Sequence, residues 1–241
     1  MTKVVVFLII PLTLLLRLQV IAQDKLTTFG LQFKPILSSE LINTGAQTDQ
    51  VDNIDFEIKP RSGYSFGMVV RKGLTKQLSI ESGINFSRRN YELNIANDSL
   101  NFSGTSEFRY IIYEIPIMGL VYVRLGEQAY LNAAFGASFN FLPSNWDSFD
   151  YYFEHFSARK SWVVPSLLAN IGFEYRTYDK GHFYLGLTYN RPFSEITTAG
   201  VLYKIDNVEQ ARTFFDVNGS YLTLDLKFFF PEPRSKQNNR R

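Results

Sequence analysis

The stretch Ser220-Tyr-Leu-Thr-Leu-Asp-Leu-Lys-Phe-Phe-Phe230 alternates between two kinds of side chain. Leucine and phenylalanine occupy the even positions from Leu222 to Phe230, whereas Thr223, Asp225 and Lys227 occupy odd positions. Successive side chains of a β-strand point to opposite faces, so this period of two predicts a strand with one apolar face. That face contacts either the core of a soluble protein or the lipid of a membrane, and the remaining sequence decides between them.

The first 22 residues have the pattern of a secretory signal peptide. Lys3 precedes an apolar run at residues 4–16, and Val20-Ile-Ala22 fits a cleavage site. Without Lys3 and Arg17, 23 of the 25 basic residues remain against 23 acidic ones, which excludes an electrostatic footprint for nucleic acid. The chain has no cysteine and therefore no disulfide or thiolate metal site. We expect residues 1–22 to be removed and the mature chain to begin at residue 23.

Eight segments are strand candidates, and all except the fourth share the alternation seen in the opening stretch. They lie at about residues 27–37, 63–71, 78–88, 109–123, 129–141, 162–176, 182–191 and 220–230. In seven of them, one face carries large apolar side chains, whereas the other is rich in Gly, Ser and Asn with occasional charges. The fourth is apolar on both sides, and we orient it so that Glu114 faces the lumen. A soluble barrel keeps its bulky apolar groups inside and exposes charged groups. An apolar outer face around a small, polar interior is instead typical of a membrane barrel.

The connections between these segments alternate in length. They span about 25, 6, 20, 5, 20, 5 and 28 residues, as in outer-membrane barrels with short periplasmic turns and long extracellular loops. The sequence therefore predicts an all-β fold, an eight-stranded antiparallel up-and-down transmembrane β-barrel at residues 23–230. A basic C-terminal tail follows at residues 231–241. This arrangement puts the N- and C-termini in the periplasm.

A short motif in the middle of the chain resembles a known family. Tyr113-Glu-Ile-Pro116, followed by an apolar segment at residues 117–123, is similar to a stretch of the PorT-type outer-membrane β-barrel proteins. The resemblance covers roughly residues 24–230 and includes the signal peptide, the eight predicted strands and the aromatic C-terminal strand. It implies an outer-membrane location in a Gram-negative envelope. The name-giving members are similar to components of protein secretion and gliding, so it also implies an envelope or secretion-complex partner.

The inward faces of the predicted strands collect four cations and four anions. We predict that they form a lumen charge network, consisting of Lys34, Arg71, Glu81, Glu114, Glu174, Arg176, Asp225 and Lys227. Eight strands enclose an interior just wide enough for side chains to fill, and charges held there must pair. Lys34 and Asp225 are candidate partners because the first and last strands are neighbours in a closed barrel. Equal numbers of opposite charges favour a plugged lumen over an ion-selective channel.

The third long connection carries a pattern that suggests catalysis. His155 and Ser157 resemble the His-x-Ser pair of lipid A deacylases, which are also outer-membrane barrels. In such an enzyme His155 is the general base, Ser157 is the nucleophile, and Glu154 or Asp150 orients the base. The alternative assigns this connection to the outer aromatic girdle or to a protein contact. The aromatic residues concerned are Trp146, Phe149, Tyr151, Tyr152, Phe153 and Phe156.

Two arginines end the third predicted strand at the extracellular rim. Arg88 and Arg89 are candidates for a lipopolysaccharide contact, because a guanidinium group matches phosphate geometry. The alternative is that they are ordinary charges of the rim. The sequence has no zinc signature, metal-ligand cluster or phosphate-binding loop, so no cofactor is expected.

The favoured interpretation is a non-enzymatic outer-membrane barrel with a plugged lumen. Its long extracellular loops would contact envelope, adhesion or secretion-complex partners. The alternatives are a lipid A-modifying enzyme on the same fold and a soluble barrel that binds a lipid.

Overall fold

The computed structural model describes residues 27–38, 45–143, 145–149, 153–177, 179–205 and 208–231. The predicted signal peptide and the tail from residue 232 onwards lie outside these residues. The strands are β1 (Thr27–Leu37), β2 (Gln47–Val51), β3 (Ile54–Gly73), β4 (Leu78–Asn97), β5 (Phe102–Arg124), β6 (Ala129–Phe141), β7 (Trp146–Phe149), β8 (Phe153–Arg159), β9 (Val163–Arg176), β10 (His182–Pro192), β11 (Thr197–Ile205), β12 (Val208–Val217) and β13 (Tyr221–Phe229). In this part of the chain, no helix has the length and apolar character needed to cross a membrane.

Eight of these strands form a closed antiparallel ring in the order β1-β13-β10-β9-β6-β5-β4-β3. The ring closes because β1 pairs with both β13 and β3, so that Phe33 lies opposite Leu226 on one side and Phe66 on the other. Strand β2 pairs with β3 and adds to the sheet outside the ring. The ring strands overlap the eight predicted segments, and the predicted fold class, an all-β antiparallel up-and-down barrel, is confirmed.

The two ends of the barrel differ in construction. At one end, three ring connections are short turns at residues 74–77, 125–128 and 177–181, and the described starts and ends of the chain lie beside them. We call this the short-turn end. At the opposite end, which we call the elongated end, β3, β4 and β5 continue beyond the ring. A second four-stranded sheet, in the order β12-β11-β8-β7, lies there as well.

The predicted long loops are therefore largely strands, and the predicted limits at residues 88 and 109 are wrong. Strands β4 and β5 stay paired from Arg88↔Ile111 to Asn97↔Phe102, where a 3-10 helix at Asp98–Leu100 joins them. The other long connections contain β2, β7, β8, β11 and β12. The physical reason is a reversal of the two faces, which ends the apolar alternation without ending the strand.

Strand β4 shows this reversal directly. Its inward side chains are polar or small at residues 79–89 and apolar from Tyr91 to Ile95, and all three of the latter are buried. Its outward side chains, apart from Ser82, are apolar from Leu78 to Phe86 and become polar from Arg88 to Asn94. A barrel in lipid needs an apolar exterior, whereas β-structure in water buries its apolar face. The change of face therefore marks the edge of a membrane-spanning band.

The band and the elongated end have different surfaces and cores. Around the ring, an apolar belt of exposed side chains includes Phe29, Leu31, Phe66, Met68, Ile84, Phe135, Ile171, Leu185 and Leu187. The elongated end instead has an internal apolar core shared by the ring extensions and the second sheet. Its members include Ile54, Phe56, Leu93, Ile95, Phe108, Ile112, Val201, Tyr203 and Phe215. The elongated end is thus a packed β-structure.

Candidate functional site

The barrel interior at the short-turn end is filled by a connected set of ion pairs. Arg71 Nη2 lies 2.7 Å from Glu81 Oε2, and Arg71 Nη1 donates to Glu174. Arg176 Nε lies 2.6 Å from the other oxygen of Glu174, and Lys227 Nζ donates to the other oxygen of Glu81. All of these side chains except that of Arg176 are buried. The structure thus brings five members of the predicted lumen charge network together.

Aromatic rings pack against the cations of this set. The guanidinium carbon of Arg71 lies 4.0 Å from the centroid of the Phe229 ring. Arg176 lies 4.9 Å from the ring of Tyr122 and 4.2 Å from that of Tyr130. Such cation–π contacts stabilise a cation that has lost part of its hydration. The short-turn end of the interior is therefore occupied by both charge pairs and rings.

A second group of polar side chains lies in the middle of the ring around Asp225. Lys34 Nζ is 3.5 Å from Asp225 Oδ2, so the pair expected from the sequence lies at ion-pair distance. Thr188 Oγ1 donates to the same carboxylate at 2.6 Å, and Thr223 Oγ1 donates at 2.5 Å. Charge-assisted hydrogen bonds of this kind are stronger than neutral ones. Asp225, which is fully buried, is thus held by a cation and two hydroxyl groups.

A third group lies toward the elongated end around Glu114. Tyr221 donates its hydroxyl proton to Glu114 Oε2 at 2.5 Å and accepts a hydrogen bond from Asn190 at 3.0 Å. The guanidinium group of Arg89 lies 4.1 Å from the Tyr221 ring, and its Nη1 donates to the Gly219 carbonyl at 2.6 Å. The interior therefore holds Arg89 in addition to the eight predicted charges.

The position of Arg89 corrects its predicted role. Its side chain is buried on the inner face, which is incompatible with a lipopolysaccharide contact at the rim. The cause is that β4 does not end here and its odd positions, which include Glu81, continue to face inward. In the sequence, the signal for this orientation is that Arg89 and Glu81 are both at odd positions of one strand and therefore face the same side. Arg88 has the opposite parity and lies on the outer face, where its Nε donates to Asn90 Oδ1 at 3.0 Å.

The predicted catalytic residues lie on β8 of the second sheet. His155 Nε2 is 2.9 Å from Ser157 Oγ, and the Tyr110 hydroxyl donates to that Ser157 oxygen at 2.7 Å. Both residues are buried in the core of the elongated end, and the His155 ring lies 4.2 Å from that of Phe108. The pair therefore faces a packed apolar interior.

The predicted third member of the catalytic set is not assembled with this pair. Glu154 lies on the opposite face of β8 and forms an ion pair with Lys204 of β11. Neighbouring residues of a strand point to opposite faces, which is the physical reason for the separation. Asp150, the other predicted carboxylate, lies outside the described residues, as do Tyr151 and Tyr152.

The outer face of the second sheet carries an exposed aromatic pair. Phe156 of β8 and Phe214 of β12 have ring centroids 6.1 Å apart and are both exposed. Among the residues that the structure describes, no group of three or more His, Cys, Asp or Glu side chains is arranged to hold a metal ion.

A closed antiparallel ring with an apolar exterior and a polar interior defines a transmembrane β-barrel. The family model described as "Outer membrane protein beta-barrel domain" matches residues 27–198, and the chain belongs to this family. The family confirms the outer-membrane location, whereas the PorT type within it stays a prediction. No curated protein matches the chain.

Two solved structures are similar to this chain over most of its length. Outer membrane protein OprG from Pseudomonas aeruginosa is 10% identical, with 86% of this chain and 96% of that chain covered and a TM-score of 0.49. The outer membrane protease OmpT from Escherichia coli is 10% identical, with 88% of this chain and 100% of that chain covered and a TM-score of 0.30. Because both TM-scores are below 0.5, neither structure informs the function of this chain.

Proposed function

We propose that this chain is a non-enzymatic outer-membrane barrel whose own side chains plug the lumen and whose elongated end contacts another envelope protein. The partner class follows the PorT-type resemblance, namely an adhesion or secretion-complex component. The observation that supports a plugged lumen is that hydrogen bonds and ion pairs cross the interior from one wall to the other.

These crossing contacts join strands that are not neighbours. Arg71 on β3 bonds to Glu174 on β9, four steps away around the ring, and Tyr221 on β13 bonds to Glu114 on β5, also four steps away. In an eight-stranded ring, four steps is the opposite wall. The two contacts lie at different depths, since Arg71 is near the short-turn end. Side chains that meet from opposite walls leave little room between them for a solute.

The difference between the short-turn end and the elongated end supports an orientation of the barrel in the membrane. Outer-membrane barrels have short turns on the periplasmic side and longer segments outside. We therefore orient the short-turn end, with both chain termini, toward the periplasm and the elongated end toward the exterior.

The contact role is supported by the construction of the elongated end. Its apolar core fixes the second sheet, so a partner would meet a preorganised surface and little conformational entropy would be lost on binding. The exposed Phe156–Phe214 pair lies on that sheet, away from the apolar belt. Exposed apolar patches outside lipid mark interaction sites.

Planar bilayer recordings test the plug. The purified wild-type chain should give no stable conductance, because the cations and carboxylates of the interior are paired across the lumen. Large, steady, ion-selective currents would contradict the plug and make the protein a channel.

Photo-cross-linking in whole cells tests the contact role. A photoreactive amino acid at Phe214 should capture a defined protein, whereas the same amino acid at Ile171 should not. Both positions are similarly exposed, 55% and 56%, but Ile171 belongs to the apolar belt. Equal capture at both positions, or none at Phe214, would contradict a partner at the second sheet.

A further inference from the structure

A groove of about 740 Å³ lies on the outer surface at the level where the two faces reverse. It is formed by β3, β4 and β5 where these strands leave the ring. The charged side chains that line it are Lys59, Arg61, Arg88, Arg109 and Glu107. Four cations therefore share one concave site with one carboxylate.

A β-bulge on β3 brings two of these cations to the outer surface. Between Arg61↔Asn90 and Tyr64↔Arg88, β3 uses one residue more than β4. The extra residue changes which positions of β3 face outward. Even-numbered residues face outward from Tyr64 toward the short-turn end, whereas the odd-numbered Arg61 and Lys59 face outward beyond the bulge. Bulges commonly redirect side chains in this way. Without it, Arg61 would have the inward parity of Arg71.

The groove begins immediately above the aromatic edge of the apolar belt. On the outer face, the row Phe66, Phe86 and Tyr113 has neighbouring ring centroids 5.2 Å and 5.9 Å apart. Arg88 lies one row higher, and each row adds about 7 Å along a strand. Aromatic residues mark the lipid–water interface in outer-membrane barrels, so the groove lies at the depth of lipid headgroups.

The side chains of the groove combine ion pairs with guanidinium groups that can bind an anion. Glu92 holds Lys59 at 3.1 Å and Arg61 at 3.0 Å, which fixes these two side chains at the side of the groove. Arg88 Nε donates to the neutral amide of Asn90, so that contact does not offset the charge of Arg88. Arg109 of β5 is paired with Asn90 of β4 and lies on the same outward face as Arg88. Guanidinium groups bind phosphate oxygens in pairs with a fixed geometry.

We propose that this groove binds the phosphorylated headgroup of a membrane lipid, with Arg88 and Arg109 donating to phosphate and the aromatic row contacting the acyl chains. The assignment of this lipid to the outer leaflet rests on the orientation proposed above, whereas the binding itself does not. The ligand class is a lipid that carries phosphate groups, because the cations lie at headgroup depth beside an apolar surface.

Native mass spectrometry of the full mature chain in detergent micelles tests this proposal, with diphosphoryl lipid A as the probe. Arg88→Gln combined with Arg109→Gln should weaken lipid A binding by about tenfold or more, because charge-assisted contacts to phosphate are lost. The matched control is Lys72→Gln combined with Arg124→Gln, which removes two exposed cations at the short-turn end. The control should bind lipid A like the wild type.

The outcomes separate lipid recognition from general attraction. Dephosphorylated lipid A should bind the wild-type chain as weakly as diphosphoryl lipid A binds the groove variant. Equal losses in the groove and control variants, or no loss in the groove variant, would overturn the proposal. Displacement of lipid A by an equal concentration of inorganic phosphate would also overturn it, because the ligand would then be the free anion. Circular dichroism of each variant verifies that the barrel is folded.

Discussion

On the inner face of the ring, glycines lie where a larger side chain of a neighbouring position occupies the space above them. Gly172 and Gly186 are paired across β9 and β10, and the hydroxyl of Tyr184 lies over both. A Cβ atom added at either glycine would clash with that hydroxyl. The sequence predicts a narrow interior from such glycines. It does not predict that Tyr184 fills the space, because the ring's position depends on how the strands are registered.

Leu187→Arg tests the outward face of the membrane-spanning band. Leu187 lies in the middle of β10 and is exposed, so the variant should lose about 2–4 kcal/mol of barrel stability in lipid. Val208→Arg is the control, because Val208 is exposed on β12 outside the band. Heat-modifiable migration on gels should show fewer folded barrels for Leu187→Arg alone. Normal assembly of that variant would mean that the assigned faces are reversed.

Asp225→Ala tests the pairing inside the lumen. Removal of this carboxylate leaves Lys34 buried without its 3.5 Å partner, at a cost of roughly 3–5 kcal/mol for a fully buried pair. Asp225→Ala combined with Lys34→Ala should be less destabilised, because no cation remains to be desolvated. Urea unfolding in lipid vesicles measures the difference. A double variant that is less stable than Asp225→Ala would show that the pair does not act as a unit.

At the scale of the strand, the sequence predicts a strand where the same face stays apolar along its length. It does not predict the strand where the apolar side chains move to the other face. The lipid-facing alternation identified seven of the eight ring segments, and a continuous apolar run identified the fourth, which became β5. The alternation failed beyond Arg88 on β4, where the apolar set moves to the other parity, and at the bulge of β3. Strand β11 shows no alternation at all, since its residues from Ala199 to Tyr203 are all buried. Burial on both faces depends on neighbouring strands, and a single sequence does not specify those neighbours.

The second sheet should respond to acid through a cluster around Lys160. Lys160 Nζ lies 2.9 Å from Asp216 Oδ1 and 3.0 Å from Glu195 Oε2, and Thr198 donates to Asp216 at 2.7 Å. The Thr198 hydroxyl and the Lys160 cation lower the pKa of Asp216, and Lys160 lowers the pKa of Glu195. A carboxylate with a lowered pKa stabilises the folded state above its unfolded pKa. That contribution is lost as the pH falls through the lowered folded value.

The ordinary pKa values of these groups, 3.8 for Asp216 and 4.5 for Glu195, set the upper end of the pH window. A carboxyl-carbon NMR titration should show both groups protonating below these values. Thr198→Val and Lys160→Met should each raise the pKa of Asp216, because the hydroxyl and the cation both lower it. Lys160→Met should in turn raise the pKa of Glu195, and Thr198→Val should leave it unchanged. Unaltered titrations in both variants would show that the cluster does not form.

Strand β8 allows the enzymatic alternative to be tested without disturbing the band. His155→Ala should leave the lipid A acylation pattern of whole cells unchanged, because the His155–Ser157 pair faces the core and Glu154 faces away. The same variant should lose some stability, since its ring packs against Phe108. Mass spectrometry of extracted lipid A gives the readout. A lost lipid A modification at normal barrel abundance would favour an enzyme.

At the scale of the whole molecule, the eight charges of the lumen network could be predicted, but of their pairings only Lys34 with Asp225 could. Parity alone assigns Arg71, Glu81 and Glu174 to the interior. Which of them meet depends on ring closure and strand register, since Arg71 and Glu174 come from opposite walls. The lipid-phosphate groove was also beyond the sequence, because its cations come from three strands and one of those strands contains a bulge. Arg88 was the one groove residue that the sequence identified.

The orientation of the whole barrel can be tested because the chain has no native cysteine. Gln210→Cys places a thiol on β12 at the elongated end, and Glu127→Cys places one in the short turn between β5 and β6; both positions are exposed. A membrane-impermeant maleimide should label Gln210→Cys on intact cells, because the elongated end is oriented outward. Glu127→Cys should react only after the outer membrane is permeabilised. Labelling of Glu127→Cys alone on intact cells would show that the barrel has the opposite orientation, with the groove at the inner leaflet.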